Sequence, residues 1–303
     1  MNKKVQSILD KVQGLYKKDE SMKRIINHSV AGPKVFTEDD GVPLPLSNPI
    51  RCMTGLPCLP FNRVGQIHGK PDTGKSTTAA EIMASAQKAG FYVILLDSED
   101  KADLTRYDAE FGGKSNELFL IKTNEIRKGG QLIKDFVNAI KSEDQKAKIL
   151  IVWDSVGGSI SRGATERNLA DEKHAQPGAS AKENGEVIRH LVAMFNKYPD
   201  SISVLLVNQT YAKIGFMMKG DQASGGTAVE YFSSLIVNLR RVKTLTKTEN
   251  KKKVKYGIIT RATVSKNHLS QGKTSTYQMD FVITAGGSQV SDMDIIEDEE
   301  AEE

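Results

Sequence analysis

The sequence predicts an α/β fold in which a mostly parallel β-sheet is covered by helices on both faces. From Arg63 onward, near-continuous apolar runs alternate with helical stretches, which is the pattern of parallel strands buried on both sides. The chain has 303 residues, of which 39% are hydrophobic and 26% charged. That size and composition suffice for one large α/β domain with small appendages.

The predicted elements follow one another in a regular order. Apolar runs predict strands, and helical periodicity predicts the helices between them. The expected strands are 63–68, 91–97, 117–121, 149–154 and 202–208, the helices are 75–89, 129–141 and 180–197, and three β-rich runs follow at 234–243, 255–265 and 275–284.

Three stretches lack this regular pattern. Residues 27–62 contain six prolines and are expected to be loop-like. The stretches 157–179 and 209–226 are unusually long for loops inside an α/β domain, and such loops are usually functional.

Several classes of protein are excluded by composition. No apolar run approaches the roughly 18 residues needed to span a bilayer, and the N-terminus lacks the apolar core of a signal peptide. Only Cys52 and Cys58 are present, which excludes a disulfide framework and makes a poor zinc site. We therefore expect a cytoplasmic protein with no membrane partner.

The charge is distributed unevenly along the chain. The net charge is +4, but eight of the twelve residues in 292–303 are acidic and none is basic, so the rest of the chain carries +12. A basic body suits a polyanion such as nucleic acid. The acidic tail either solubilises the protein or competes with nucleic acid for the basic surface, and the sequence leaves both open.

A phosphate-binding loop follows the first predicted strand. It matches the pattern G-x-x-x-x-G-K-[ST] and opens a predicted helix, which is the context that the motif needs. Lys75 can reach the β- and γ-phosphates of ATP, and the Ser76 hydroxyl can bind Mg²⁺. The expected cofactors are therefore ATP and Mg²⁺. The loop consists of Gly69, Lys70, Pro71, Asp72, Thr73, Gly74, Lys75 and Ser76.

Three polar residues lie at the ends of neighbouring predicted strands. Asp154 ends the strand ILIVWD, where a carboxylate commonly holds Mg²⁺. Glu99 is the candidate general base for water attack, with an exposed surface carboxylate as the alternative. Gln209 could sense the γ-phosphate and pass that signal into the following loop; a turn-capping amide is the alternative.

In this order, these elements resemble the RecA family over residues 48–285. The most specific part is 207–242, where the family has N-Q, K-I-G, G-G and a strand ending in R-R. Because the chain ends soon after its last core strand, we expect a compact, phage-type (UvsX-like) version acting in a host cytoplasm. The matching residues are Asn208, Gln209, Lys213, Ile214, Gly215, Gly225, Gly226, Arg240 and Arg241.

The resemblance implies where DNA and nucleotide bind. It assigns 157–179 and 209–226 as the two DNA-binding loops, and it places Glu99 on the catalytic glutamate and Gln209 on the glutamine that couples ATP to DNA. Expected nucleotide contacts beyond the loop are Thr77, Asp103 and Tyr107. Expected DNA contacts are Lys182, Arg189, Lys213, Ile214, Gly215, Gly225, Gly226, Thr227, Arg240 and Arg241.

The resemblance also implies assembly into a helical polymer. In such filaments two lysines reach the ATP of the neighbouring protomer; Lys266 matches the first, and His268 replaces the second. An amphipathic helix at 3–18 resembles the polymerisation helix, with docking on its own core as the alternative. The expected domains are 1–35 for protomer contact, 36–285 for the ATPase core and 286–303 for the acidic tail.

The function implied is that of an ATP-dependent DNA recombinase. It would form a filament on single-stranded DNA, hydrolyse ATP in a DNA-dependent way, and pair the strand with homologous double-stranded DNA. A single-strand-binding protein and a loading mediator are further expected partners. A ring helicase or motor on the same core, and a non-processive recombination mediator, are the alternatives. A basic run at 247–255 is either a solvated hairpin tip or, with Arg261, a second site for duplex DNA.

Overall fold

The computed structural model describes residues 35–165, 178–212, 221–223, 226–249, 251–269 and 278–291, together with the isolated positions 7 and 11. The predicted N-terminal helix at 3–18 and the acidic segment 292–303 lie outside the described residues. The proposed division at residues 35 and 285 stays a prediction.

A ten-stranded sheet forms the centre of the fold, in the order β12-β11-β10-β9-β3-β7-β6-β4-β5, with β8 paired to β7. The six strands from β9 to β5 are parallel, and β10 to β12 extend the sheet in antiparallel fashion. A separate pair, β1 and β2, is antiparallel. The strands are β1 (Gly41–Pro43), β2 (Cys58–Pro60), β3 (Val64–Gly69), β4 (Tyr92–Asp97), β5 (Leu118–Lys122), β6 (Ile149–Asp154), β7 (Ile202–Ala212), β8 (Asp221–Ala223), β9 (Leu235–Glu249), β10 (Lys252–Asn267), β11 (Gln278–Thr284) and β12 (Gly287–Val290).

Helices connect the parallel strands, as crossovers between parallel strands require. Short 3₁₀ turns lie at Glu38–Asp40, Ser115–Glu117 and Val156–Gly158. Within the described residues, no helix is both long and apolar enough to cross a membrane. The helices are α1 (Pro49–Thr54), α2 (Lys75–Lys88), α3 (Leu104–Phe111), α4 (Ile126–Glu143), α5 (Arg162–Thr165), α6 (Ala179–Lys197) and α7 (Thr227–Phe232).

Both faces of the sheet are buried under helices. In β4, Val93 and Leu95 belong to the apolar core that includes α2, whereas Ile94 and Leu96 belong to a second core that includes α4 and α6. Successive side chains of a strand point to opposite faces, so a strand covered on both sides must be apolar throughout. The predicted α/β fold with helices on both faces is confirmed.

The loop-like interpretation of 27–62 is wrong for residues 38–60. That region holds a 3₁₀ turn, β1, α1 and β2, and its prolines are compatible with these elements. Pro49 occupies the first turn of α1, where a missing N–H costs nothing, and the Asn48 side chain caps the helix by accepting from the Ile50 N–H. Gly55 ends α1 in the left-handed conformation.

Candidate nucleotide-binding site

The carboxyl ends of the parallel strands bring the predicted site together. Gly69 of β3 lies beside Gln209 of β7, and Asp97 of β4 lies beside Asp154 of β6. In open α/β sheets, ligands bind in the crevice outside this edge. The phosphate loop, the acidic ends of β4 and β6, and the Gln209 amide of β7 therefore share one crevice.

Two glycines fit the phosphate loop into this edge. Gly74 has φ +87°, and a Cβ there would lie 2.4 Å from the Ile283 side chain of β11. A Cβ on Gly69 would lie 2.1 Å from the Leu239 carbonyl oxygen of β9. Only a residue without a side chain can adopt this path, so the motif glycines are required by packing as well as by phosphate access.

Hydrogen bonds inside the loop hold its shape. The Thr73 hydroxyl donates to the Lys70 carbonyl at 2.9 Å, and Thr260 of β10 donates to the Thr73 carbonyl at 3.1 Å. The Lys75 ammonium donates to the Lys70 carbonyl at 2.7 Å and is buried. Burial lowers the pKa of Lys75, an effect that the carboxylates of Asp154 and Glu99 partly offset. A buried cation at a helix N-terminus fits a polyphosphate.

Ser76 and Asp154, the two predicted metal ligands, contact each other. Burial raises the pKa of Asp154 to about 6, and a hydrogen bond from the Ser76 side chain opposes this shift. The nearby Glu99 carboxylate raises it further. Hard oxygen ligands beside a phosphate loop fit Mg²⁺, which typically takes one or two carboxylates together with substrate phosphates.

Glu99 is the centre of a hydrogen-bonded group at the same edge. Its Oε1 accepts from the Gln209 amide at 2.6 Å and from the Ser155 hydroxyl, and its Oε2 accepts from Lys101 Nζ at 2.8 Å. Burial raises the pKa of Glu99, but the hydrogen bonds from Lys101, Ser155 and Gln209 outweigh this and leave it below the usual value. The carboxylate is thus ionised and only 20% exposed, as a base inside a site must be.

A cavity of about 460 Å³ contains these groups. Its walls come from the phosphate loop, the ends of β4, β6 and β7, and one side of α3. Among its lining residues are Pro71, Asp72, Lys75, Ser76, Thr77, Glu99, Lys101, Asp103, Arg106, Tyr107, Asp154, Ser155 and Gln209.

The two predicted nucleotide contacts Asp103 and Tyr107, at the N-cap of α3 and within it, have structural partners of their own. Asp103 caps the helix by accepting from the Arg106 N–H at 2.9 Å. Tyr107 is 3% exposed, and its hydroxyl donates to Gln87 at 2.8 Å. Both line the cavity, and their nucleotide contacts stay a prediction. Arg106 also lines the cavity but was not predicted from the sequence. Its place between Asp103 and Tyr107 was the only feature of the sequence that pointed to it.

The two residues predicted to reach the ATP of a neighbouring protomer, Lys266 and His268, lie outside this cavity. Lys266 Nζ donates to the carbonyls of Glu230 and Tyr231 near the end of α7, at 2.9 and 3.2 Å. His268 is exposed, and its backbone N–H donates to the Ser234 carbonyl at 2.9 Å. Neither lines the cavity around the phosphate loop. Action on the ATP of a neighbouring protomer stays a prediction for both.

Some of the predicted DNA contacts are neighbours. Gly226, with φ +87°, precedes α7, and a Cβ there would lie 2.7 Å from Cβ of Ala181 in α6. The starts of α6 and α7, with Lys182 and Thr227, are therefore adjacent. Arg189 lines a shallow depression with Thr227. The described residues do not include Lys213, Ile214, Gly215 or Gly225.

Two arginines predicted to contact DNA lie on β9, near the phosphate loop. Arg241 Nη1 is 3.7 Å from the Asp72 carboxylate of that loop. Arg240 pairs in register with Arg261 of β10, and the Arg261 guanidinium binds both oxygens of Asp280, at 2.8 and 2.9 Å. The predicted second site for duplex DNA includes Arg261. The positive charge of Arg261 is already paired with the Asp280 carboxylate. The basic run near 247–255 lies in the β9–β10 hairpin, and the lysines described there are exposed.

Comparison with known proteins identifies the family. The model of the RecA N-terminal domain matches residues 44–286. The chain belongs to the RecA family. A RecA protein from Nitratidesulfovibrio vulgaris strain Miyazaki F is 30% identical over 218 residues, which cover 71% of this chain and 57% of the relative.

Other RecA relatives match to a similar degree. The RecA protein of Nitratidesulfovibrio vulgaris strain DP4 is 28% identical over 268 residues, covering 88% of this chain and 68% of that protein. The mitochondrial DNA repair protein recA homolog of Dictyostelium discoideum is 31% identical over 198 residues, 65% of this chain and 41% of that protein. The chain thus spans between 41% and 68% of the lengths of these relatives. Membership of the RecA family is confirmed, and the phage-type version stays a prediction.

Proposed function

We propose that this RecA-family protein is an ATP-dependent DNA recombinase. It forms a helical filament on single-stranded DNA and exchanges that strand with homologous double-stranded DNA. The observation that carries the proposal is the hydrogen bond between Glu99 and Gln209, which joins the hydrolytic end of the nucleotide site to the first residue of the predicted DNA loop 209–226.

Each residue of the site has a defined task in ATP hydrolysis. Lys75 neutralises the β- and γ-phosphates, and backbone N–H groups of the loop hold their oxygens. Ser76 and Asp154 would hold Mg²⁺, which neutralises charge that develops on the phosphates. Glu99, held ionised by its three donors, accepts the proton of the attacking water.

Gln209 would link hydrolysis to DNA. Its amide lies 2.6 Å from Glu99, so a γ-phosphate that reaches the general base also comes within reach of this amide. A change of partner at Gln209 shifts the backbone that leads into the predicted DNA loop. ATP and DNA then bias the same segment, which is what reciprocal coupling between two sites requires.

Assembly adds three further proposals from the same family membership. Lys266 and His268 reach the ATP of a neighbouring protomer, the helix at 3–18 docks on that neighbour, and the depression around Arg189 and Thr227 contributes to the DNA-facing surface. A single-strand-binding protein and a loading mediator act with the filament in the cytoplasm.

The test compares the wild type with Lys75→Ala. We expect the wild type to hydrolyse ATP faster with single-stranded DNA and to form long helical filaments in electron micrographs with a slowly hydrolysed ATP analogue. Lys75→Ala should lose turnover, because the phosphates lose the buried cation of the loop. Rings in the micrographs would favour a helicase, and small particles with weak hydrolysis a mediator. Near-normal hydrolysis by Lys75→Ala would refute the phosphate-loop assignment.

A further inference from the structure

The cavity has two chemically different ends. One end holds Glu99, Asp154 and Gln209, which suit the γ-phosphate and the attacking water. The other end is lined by residues of α3, where the cation of Arg106 lies over the Phe111 ring and Tyr107 also lines the wall. Because the proposed function assigns the γ-phosphate to the acidic end, the α-phosphate and nucleoside would extend toward α3.

Backbone carbonyls of the hairpin formed by β11 and β12 hold Arg106 in this position. Its Nη2 donates to the carbonyls of Thr284 and Ala285 at 3.1 and 3.0 Å, and its Nε donates to Ala285 at 3.2 Å. The guanidinium carbon lies 5.4 Å from the centre of the Phe111 ring. A planar guanidinium held along one edge has little rotamer freedom left to lose when it binds a ligand.

The opposite edge of this guanidinium is available. Among the described residues, Arg106 Nη1 makes no hydrogen bond and no carboxylate forms an ion pair with Arg106. Glu81 is a buried carboxyl close enough for the charge of Arg106 to lower its pKa, although burial raises that pKa more. Arg106 therefore offers the cavity a positive charge and, at Nη1, an N–H donor that makes no hydrogen bond to the described residues.

Thr77 adds a second donor at the same place. Arg106 Nη2 donates to the Thr77 hydroxyl oxygen at 3.2 Å, so the proton of that hydroxyl must point to another acceptor. Thr77 directly follows the magnesium ligand Ser76 in α2, is only 9% exposed, and lines the cavity. The hydroxyl and the guanidinium thus converge one residue beyond the phosphate loop.

We propose that Arg106, with the Thr77 hydroxyl, binds a non-bridging oxygen of the α-phosphate of the nucleotide. The inference deepens the proposed function and rests on it. Arginine pairs with phosphate through short, charge-assisted hydrogen bonds, and this arginine is already oriented by the hairpin turn. Contact with the α-phosphate is retained in ATP and ADP, so Arg106 contributes to the affinity for both.

The experiment measures binding of Mg-ATP and of its phosphorothioate analogues to wild type and variants. The analogues carry sulfur on either the α- or the γ-phosphate, and both diastereomers of the α-substituted compound are used. Arg106→Gln removes the charge but keeps an amide donor for the hairpin carbonyls. Arg106→Lys keeps the charge and loses the planar fork. Arg63→Gln, at an exposed arginine outside the cavity, is the matched control.

We expect Arg106→Gln to bind ATP and ADP about 10–100-fold more weakly, the size of one charged hydrogen bond. In the wild type, one α-sulfur diastereomer should bind more weakly than the other, and this difference should vanish in Arg106→Gln. The effect of γ-sulfur should stay unchanged. Arg106→Lys should lie between the two, and Arg63→Gln should match the wild type.

Equal α-sulfur effects in wild type and Arg106→Gln would overturn the inference, and so would a wild type that binds both diastereomers alike, whatever the stability of the variant. If the wild type binds ATP but shows no difference between the α-sulfur diastereomers that depends on Arg106, the role of Arg106 is refuted and the proposed function still stands. A wild type that binds no nucleotide refutes both.

Discussion

At the scale of single residues, Glu99 is defined by its donors. Three side chains donate to its carboxylate, and together they hold its pKa below the usual value although burial acts in the opposite direction. A general base must be ionised and within reach of water, and this environment meets the first condition. Its ionised form does not depend on a bound ligand.

Glu99→Gln should therefore separate binding from hydrolysis. The amide oxygen of glutamine can still accept hydrogen bonds from Ser155 and Gln209, so ATP binding and filament formation should persist. Loss of the base should slow turnover by about 10²–10⁴-fold. Single-turnover hydrolysis measured beside nucleotide affinity tests this, with Lys101→Ala as a control that removes one donor and keeps the carboxylate. Unchanged turnover in Glu99→Gln would mean that another group activates the water.

Residues of the candidate site that lie at strand ends could be predicted from the sequence. Residues that are held in the site by distant segments of the chain could not. Asp154 and Glu99 end or follow apolar strands, and parallel strands bring their carboxyl ends to one edge regardless of detail. Arg106 could not be found this way, because its anchoring carbonyl at Ala285 is 179 residues further along the chain. Its role depends on how β11 and β12 return to α2, and local periodicity carries no information about that path.

At the scale of elements, β12 is attached to α2 through a buried carboxyl. The Glu81 side chain accepts from the Asn48 amide at 2.8 Å and from the Ser288 backbone N–H. A Cβ on Gly287 would lie 2.7 Å from Glu81 Oε1, so the turn into β12 needs a glycine at this close approach. The same carboxyl thus contacts the N-cap of α1 and the last described strand.

The pKa of Glu81 gives this contact a pH dependence. Burial raises it, and the hydrogen bonds from Ser288 and Asn48 and the charge of Arg106 only partly offset the shift. A carboxyl with a raised pKa in the folded state contributes stability that is present below its ordinary value of 4.5 and is lost as pH rises through the folded value. Ionisation of Glu81 therefore destabilises the fold.

Glu81→Gln should remove this part of the pH dependence. Thermal unfolding from about pH 4.5 to about pH 7.5 should show the wild type losing stability relative to the variant as pH rises. The quantity compared is the slope of stability against pH and not the stability itself. The new amide also faces the Asn48 donor, so the substitution changes stability at every pH. Glu110→Gln, at an exposed position near the same turn, should keep the wild-type slope. Identical slopes for all three proteins would show that Glu81 does not titrate in this range.

At the scale of the whole molecule, the sheet has two functional halves. The parallel half places the phosphate loop, Glu99 and Asp154 at one edge. Strand β9, which joins the parallel strands to the antiparallel ones, and strands β10 to β12 supply the residues that pack against that loop, including Leu239 and Ile283. The predicted β-rich runs after residue 225 are therefore part of the nucleotide site's support. The sequence pattern predicted their strands but not their contacts with the loop.

Charge is the other property that belongs to the whole chain. The acidic segment 292–303 follows Ser291 in the sequence, and the Ser291 N–H donates to the Asp280 carbonyl of β11. In the sheet order β10 lies beside β11 and β9 lies beside β10, and the lysines described at the hairpin that β9 and β10 share are exposed. If the eight negative charges of this segment fold back on the body of +12, they compete with DNA for its basic surface.

Removing residues 292–303 should tighten DNA binding if the tail shields basic surface. More lysines and arginines would then contact phosphates, and each contact releases a counterion from the DNA. The slope of log K against log salt should steepen, by about 0.7 per additional phosphate contact for a single strand. Salt titrations of single-stranded DNA binding by the full-length and shortened chains measure both the affinity and the slope.

A matched control separates charge from length. In this control the eight acidic residues of 292–303 are replaced by their amides, Asp→Asn and Glu→Gln, and the segment keeps its twelve residues. If the tail acts through charge, this chain should behave like the shortened one, since the competing anions are gone in both. If it acts by occupying space, only the truncation should tighten binding. Superimposable salt titrations for all three chains would rule out shielding and leave the tail as a solubilising segment.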